Sequence, residues 1–300
     1  MPAALLNPAA PATSPGWQAT LDLRFEQRAT QGTVLAHARH SGPLRVQKPL
    51  HPEGPGICHA VLLHPPGGVA GGDQLHIQVD LAPGAHALLT TPGATRWYKS
   101  MGRPAAQRVR LDVAEGATLE WLPQENMLFA GAEARMALDL HLAPGARAIG
   151  WDAVVLGRYG AGEHWHTAGP ETPASLSLHN RLLWDGMPLW LEQGHLQAGD
   201  ALLASPVAWA GFPIQASLWA VAPGCTEALA ERLATDLPWT PGVRAGASLL
   251  SGPPGAPSVL LLRVLARRMQ EARSVLHQAW RLLRPALLDQ PARPPRLWAT

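Results

Sequence analysis

A strand, a glycine turn and a second strand recur along this chain at nearly constant spacing, and no other feature limits its fold so strongly. Leu75-His-Ile-Gln-Val-Asp-Leu81 alternates apolar and polar residues, turns at Ala82-Pro83-Gly84-Ala85 and leaves as His86-Ala-Leu-Leu-Thr90. Val109-Arg-Leu-Asp-Val113 does the same through Ala114-Glu115-Gly116-Ala117 into Thr118-Leu-Glu-Trp121. Met136-Ala-Leu-Asp-Leu-His-Leu142 repeats it through Ala143-Pro144-Gly145-Ala146 into Arg147-Ala-Ile-Gly-Trp151. The turn glycines fall 32 and then 29 residues apart, with weaker echoes at Gln197-Ala-Gly199 and Ala222-Pro-Gly224. Period-two alternation marks half-buried strands, and units this short must stack to cover their apolar faces. Taken as hairpins, they predict a mainly β fold of stacked antiparallel sheets, either solenoid-like or an ordinary β-sandwich whose turns share one chemistry.

The rest of the chain agrees with this pattern. Trp17–Phe25 alternates, and Thr33–His37, Leu44–Gln47 and Ile57–Leu63 are further short strands. Roughly the first 220 residues are therefore mostly β. Two helices are expected in the C-terminal half. The first runs from Thr226 to Asp236, with a threonine cap and Leu229 and Leu233 four apart. The second spans Arg267–Arg284, with Met269, Ala272, Val275, Leu276, Ala279, Trp280 and Leu283 on one stripe. Val259–Leu265 between them is a strand. Met1–Gly16 is Ala/Pro-rich, without the basic start and apolar run of a secretion signal, and is expected to be a disordered tail. Residues 17–300 are expected to form one β-rich domain.

Charge and composition exclude several function classes. The 24 basic and 22 acidic side chains give a net charge of +2, which offers no electrostatic footprint for nucleic acid or an acidic membrane. No apolar run reaches the roughly 18 residues needed to span a bilayer, so a cytoplasmic location is expected. Charged residues are only 15% of the chain while hydrophobic ones reach 47%, a balance that calls for a protein partner over some of the surface. Cys58 and Cys225 are the only cysteines, too few for a disulfide framework or a structural zinc site.

The stretch from His64 to Ser100 carries most of the motif-like chemistry. Gly93-Ala-Thr-Arg-Trp-Tyr-Lys-Ser100 nearly spells a phosphate-binding loop, but Tyr98 stands where the second glycine must let backbone N–H groups curl round the phosphates. His64-Pro-Pro-Gly-Gly resembles the glycine-rich oxyanion loop of some esterases, yet the chain has no G-x-S-x-G nucleophile. Gly67, Gly68, Gly71 and Gly72 form a hinged corner that presents Asp73. His164 and His166, at i and i+2 on a strand, face one side and make the sharpest metal pair, with Glu163 beside them. Asp73, Glu120, Glu125 and Asp152 lie next to turns or inside apolar strands. Buried carboxylates need partners, so these acids either satisfy backbone groups or line a polar passage.

Six blocks in order resemble one family. They are Gly42-Pro-Leu-Arg-Val-Gln-Lys-Pro49, His64-Pro-Pro-Gly-Gly through Gly71-Gly-Asp73, and Thr90-Thr-Pro-Gly-Ala-Thr95. They continue with Leu119-Glu-Trp-Leu-Pro-Gln-Glu125, Leu156-Gly-Arg158 with Gly162-Glu163, and Pro295-Arg-Leu-Trp-Ala-Thr300. Together they closely resemble urease accessory protein D (the UreD/UreH family) from about Trp17 to the end. The resemblance implies a helicoidally stacked, mostly β fold with two helices, and a maturation factor without catalytic residues. It implies binding to urease accessory protein F, which recruits the nickel-carrying GTPase accessory protein G, and docking of the assembly on apo-urease subunits. It further implies no tightly bound cofactor but transient nickel, passing through an internal polar tunnel. His164-Trp-His166 departs from the family pattern, so the metal candidates Asp73, Glu120, Glu125, Asp152, His164 and His166 rest on chemistry alone. The competing classes are a metal-dependent enzyme using His164 and His166, and a β-rich binding module for another partner.

Overall fold

The computed structural model describes residues 16–165 and 173–299. In chain order the strands are β1 (Gln18–Arg28), β2 (Gly32–Ser41), β3 (Arg45–Val46), β4 (Cys58–Leu63), β5 (Gln74–Leu81), β6 (His86–Thr90), β7 (Thr95–Trp97), β8 (Ala105–Val113), β9 (Thr118–Trp121), β10 (Asn126–Leu128), β11 (Glu133–Leu142), β12 (Arg147–Arg158), β13 (Glu163–His164), β14 (Ser175–Trp184), β15 (Met187–Gln197), β16 (Ile214–Val221), β17 (Val243–Leu250) and β18 (Val259–Ala266). The helices are α1 (Glu227–Thr235) and α2 (Met269–Leu288). The expected tail up to residue 15, and His166, lie outside the described residues.

Each glycine turn carries the chain from one sheet to another. β5, β8 and β11 belong to a seven-stranded sheet ordered β15-β14-β11-β8-β5-β1-β2. Their successors β6, β9 and β12 belong to an eleven-stranded sheet whose main path is β17-β18-β16-β12-β9-β6-β4-β3. Successive units run in the same sense, so β1, β5, β8, β11 and β14 pair in parallel, as do β4, β6, β9 and β12. The expected stacking and mainly β class are present, but the sheets are mixed rather than antiparallel throughout. A hairpin would keep both strands in one sheet, whereas these turns arch between two. Among the described strands, antiparallel pairing is confined to β2, β15, β3, the short β13 beside β12, and the β12–β16–β18–β17 series.

The turns stack as the strands do. Gly84, Gly116 and Gly145 all adopt left-handed φ, of 71°, 67° and 78°. The Gly84 N–H donates to the Glu115 carbonyl at 3.1 Å, which ties one turn to the next. An alanine follows each glycine into the core: Ala85, Ala117 and Ala146 are all buried. Cross-strand rows of parallel neighbours then build the layer between the sheets. Leu23, Val79, Leu111, Leu140 and Leu182 form one such row, all fully or almost fully buried. Each side chain contributes roughly 1.5–3 kcal/mol of burial.

A second apolar layer lies between the larger sheet and the helices. α1 is capped by Thr226, whose hydroxyl accepts from the Leu229 N–H at 3.3 Å, and buries Leu229, Ala230 and Leu233. α2 begins with the Glu271 carboxylate accepting from the Arg268 N–H at 3.2 Å. It runs past Arg284, its expected end, and through Pro285, because Leu287 and Leu288 are buried beyond them. The C-terminal segment returns over α2, where Trp298 stacks on His277 with ring centroids 4.3 Å apart and meets Trp280 edge-on at 5.3 Å. Among the described residues no helix is long and apolar enough to cross a membrane.

Candidate functional site

The two faces of the larger sheet separate the predicted acids. Glu120 on β9 points toward the helices and is fully buried. Its carboxylate accepts from His86 Nε2 at 2.9 Å, Trp280 Nε1 at 2.8 Å and Arg284 Nε at 3.0 Å. Arg284, also fully buried, reaches beyond it to Glu53 at 2.7 Å, and Glu53 is held on its other side by His59 at 2.9 Å. The guanidinium also donates to the Pro291 carbonyl of the returning segment. This chain of charges clamps the loop before β4, the sheet and α2 together. Burial raises the Glu53 carboxyl, but hydrogen bonds and charge from His59 and Arg284 outweigh it and leave the group at about 2. Glu120 is likewise held below the carboxylate range by His86 and Arg284 against the cost of burial.

Two more of the acids are tied structurally. Asp73 sits in the glycine corner, where its carboxylate accepts from the Trp17 and Ala70 N–H groups, each at 2.8 Å. The corner admits no side chain at Gly71, since a Cβ would lie 2.2 Å from the Ser100 carbonyl oxygen. Glu125 is paired with Arg273 of α2 at 2.9 Å. His164 packs edge-on against Tyr159 with ring centroids 4.4 Å apart. Among the described residues no three His, Cys, Asp or Glu side chains converge in a metal cage.

Asp152 is placed differently. It points from β12 into the layer between the sheets, where the apolar rows give way to polar ones. Asp152, Ser217 and Arg263 are cross-strand neighbours in the larger sheet. Opposite them the row Ile77, Val109, Leu138 ends in Asn180 and Glu192, and the next row contains Gln107. Three cavities follow one another along this seam. The first, about 240 Å³, opens at exposed Gly67, Pro92 and Gly93 and has His64, Gln107, Trp121, Asn126 and Asp152 on its walls. It shares Gln107, Asn126 and Asp152 with a middle chamber of about 40 Å³. That chamber shares Leu178, Glu192 and Gln215 with a third cavity of about 410 Å³, which opens beside exposed Leu202 and Val207.

The charges along the seam are uneven. Glu192 is paired with Arg263 and accepts from Asn180 at 3.1 Å, while Arg263 also donates to Ser217 at 3.0 Å. Asp152 has no cationic partner among the described residues. Burial first, and the Glu192 charge second, push its carboxyl up to about 7; the Trp121 indole N–H opposes them but falls short of hydrogen-bond geometry. The consequence for stability has a definite sign. Between the ordinary value of 3.8 and about 7 the unfolded chain releases this proton before the folded one does, so stability falls as pH rises through that window. Asp152→Asn, with no proton to lose, is expected to match the wild type near pH 4 and exceed it above pH 7. Thermal unfolding across the range checks this, at about 2–4 °C for each kcal/mol recovered. Equal Tm differences at both ends would mean that Asp152 is solvated.

Sequence reasoning reached the acids but not their partners or the lining of the seam. Glu53, His86 and Glu192 were outside it, and His64 and Arg284 entered it only as the start of the glycine corner and the end of the second helix. Arg284 left a signal, as a charge on the apolar stripe of α2 one turn beyond Trp280. The others are ordinary-looking residues brought in by long-range pairing.

Comparison with known proteins covers nearly the whole sequence. The family described as UreD urease accessory protein matches residues 18–299. A protein named urease accessory protein UreD from Delftia acidovorans is 78% identical, with 100% of each chain covered. Those of the same name from Cupriavidus pinatubonensis and Ralstonia nicotianae are 53% and 52% identical, covering 98% of both chains and 95% and 94% of the two chains respectively. With a match that begins at the first strand and ends in the C-terminal segment, the chain belongs to the UreD urease accessory protein family.

Proposed function

We propose that this protein is a non-catalytic scaffold of urease maturation, linking apo-urease to accessory protein F and the GTPase accessory protein G, and conducting nickel between its two sheets. Membership of the family assigns the chain to urease maturation. The observation that carries the finer reading is the run of three adjoining cavities through an otherwise apolar core, with Asp152 unpaired at the join of the first two. Carboxylate, amide and hydroxyl oxygens suit a divalent cation. The middle chamber holds little more than one water. A nickel ion therefore crosses it by exchanging hydration for Asp152, Asn126, Asn180 and Gln215, with Glu192 available when Arg263 yields. Residence stays short because no complete ligand set closes round the ion, a balance that conduction requires.

Expression of urease with its accessory proteins, with and without this chain, tests the reading. Omitting the chain is expected to leave assembled urease lacking nickel by elemental analysis, and purified complexes lacking proteins F and G. Urease fully loaded without the chain would sink the proposal. The cytoplasm, where urease and its GTPase work, is the compartment this reading requires.

A further inference from the structure

Among the described residues around the first cavity, His64 has a ring with both nitrogens left unsatisfied. Both imidazole nitrogens are shut off from solvent, and neither has a hydrogen-bond partner among the described residues. Leaving a buried polar group unpaired costs about 1–3 kcal/mol, and such groups in native proteins call for an explanation. The backbone holds the residue firmly in place. The His64 carbonyl accepts from the Gly67 N–H at 3.0 Å, and Val69 is locked to Arg96 on the next segment at 2.7 Å. The rim beside it is built largely of glycine: Gly67 takes a φ of 79°, with the Tyr98 hydroxyl donating to its carbonyl at 3.3 Å, and Gly93 has open space where a Cβ would stand.

We propose that His64 is the first metal-binding side chain of this passage, taking a divalent cation of the nickel class at the glycine corner and passing it inward to Asp152. Three observations converge on this role. The ring borders the same cavity as Asp152. Burial keeps the imidazole below its ordinary value despite the nearby Asp73 charge, so a lone pair is available at neutral pH without a proton having to leave. Neither ring nitrogen is engaged by another described residue, so turning the ring about its Cβ–Cγ bond toward the cavity would break no hydrogen bond. Imidazole is a strong donor for nickel, while Thr91, Gln107, Gln124 and Asn126 around the same cavity offer only weak neutral oxygens, and the exposed Arg96 guanidinium at the rim disfavours any cation not held by a strong donor. One nitrogen with weak oxygens captures an ion selectively against calcium and magnesium, yet releases it to a carboxylate deeper in.

The proposal rests on the passage carrying nickel, and the test separates the two. The full chain, labelled with nitrogen-15 in its histidines, is titrated with nickel chloride while the imidazole resonances are followed, and nickel affinity is measured by equilibrium dialysis for the wild type, His64→Gln and Asp152→Asn. The His64 ring signals are expected to broaden first, both in the wild type and in Asp152→Asn. His64→Gln is expected to weaken nickel binding about tenfold or more with calcium binding unmoved. His64 signals that persist at saturating nickel would overturn the proposal, and so would unchanged nickel affinity in His64→Gln. The wild-type titration decides the matter even if that variant folds poorly. If a side chain that plugs the middle chamber stops urease loading while His64 ignores nickel, only the role of His64 fails.

Discussion

Replacing Arg284 with methionine is expected to produce the largest loss of stability of any single change in this protein. Methionine keeps much of the length and apolar stem of the side chain but leaves Glu120, fully buried, and Glu53, nearly so, without their shared cation. Breaking a buried ion pair from one side costs about 3–5 kcal/mol, and here two carboxylates are stranded at once. The carbonyl of Pro291 loses its donor as well, so the returning segment that seats Trp298 on His277 loosens. The measurement is thermal unfolding of the soluble fraction, with Arg281→Met as a control on the exposed face of the same helix. Equal melting of the two variants would show that the buried charges contribute nothing. The same clamp predicts an acid limit. Glu53 is held at about 2, below its ordinary 4.5, so its contribution is complete above that ordinary value and disappears as pH falls toward 2. Wild-type stability should decline through this window, and the decline should be shallower in a Glu53→Gln background.

The fold was legible where local chemistry decides it. Period-two runs mark the strands, Gly84, Gly116 and Gly145 mark the arches, and Thr226 marks the start of α1. The direction of pairing was not legible, because alternation records which face is buried and says nothing about the neighbour. Leu75–Leu81 reads identically whether β6 returns beside it or departs to another sheet. The acids follow the same logic. Asp152 inside the apolar run Trp151–Leu156 announces a carboxylate in an apolar layer, and Glu120 between Leu119 and Trp121 does so too. Which layer each enters depends on the parity of strands in a two-faced sheet, and the partner of Glu120 lies 164 residues away on α2. His64 was hidden for a different reason: the Pro-Pro-Gly-Gly that follows it explains the corner by backbone alone. Its importance emerges only when Gln107, Trp121 and Asp152 are seen around the same cavity.

Closing the middle chamber should abolish nickel delivery without dismantling the protein, and Gln215→Trp is the change that does it. Gln215 lies on β16 between Val154 and Leu265 and borders both the middle and the far cavities. An indole is far larger than the roughly 40 Å³ of the middle chamber, so it fills the junction and spills into the far cavity, which has room for it. Overpacking of this kind costs about 1–3 kcal/mol, toward the lower end where open space adjoins. Assembly with the urease components should therefore survive, while urease nickel content falls to the level found without the chain. Gln215→Ala widens the same junction and should deliver as the wild type does, which separates obstruction from the loss of one amide. Asp152→Ala should fall between them, since water can replace a ligand but cannot pass a plug. Full loading by Gln215→Trp, with its complexes intact, would mean that nickel does not travel between the sheets. The unpaired state of Asp152 would then be a cost to stability with no return in transport.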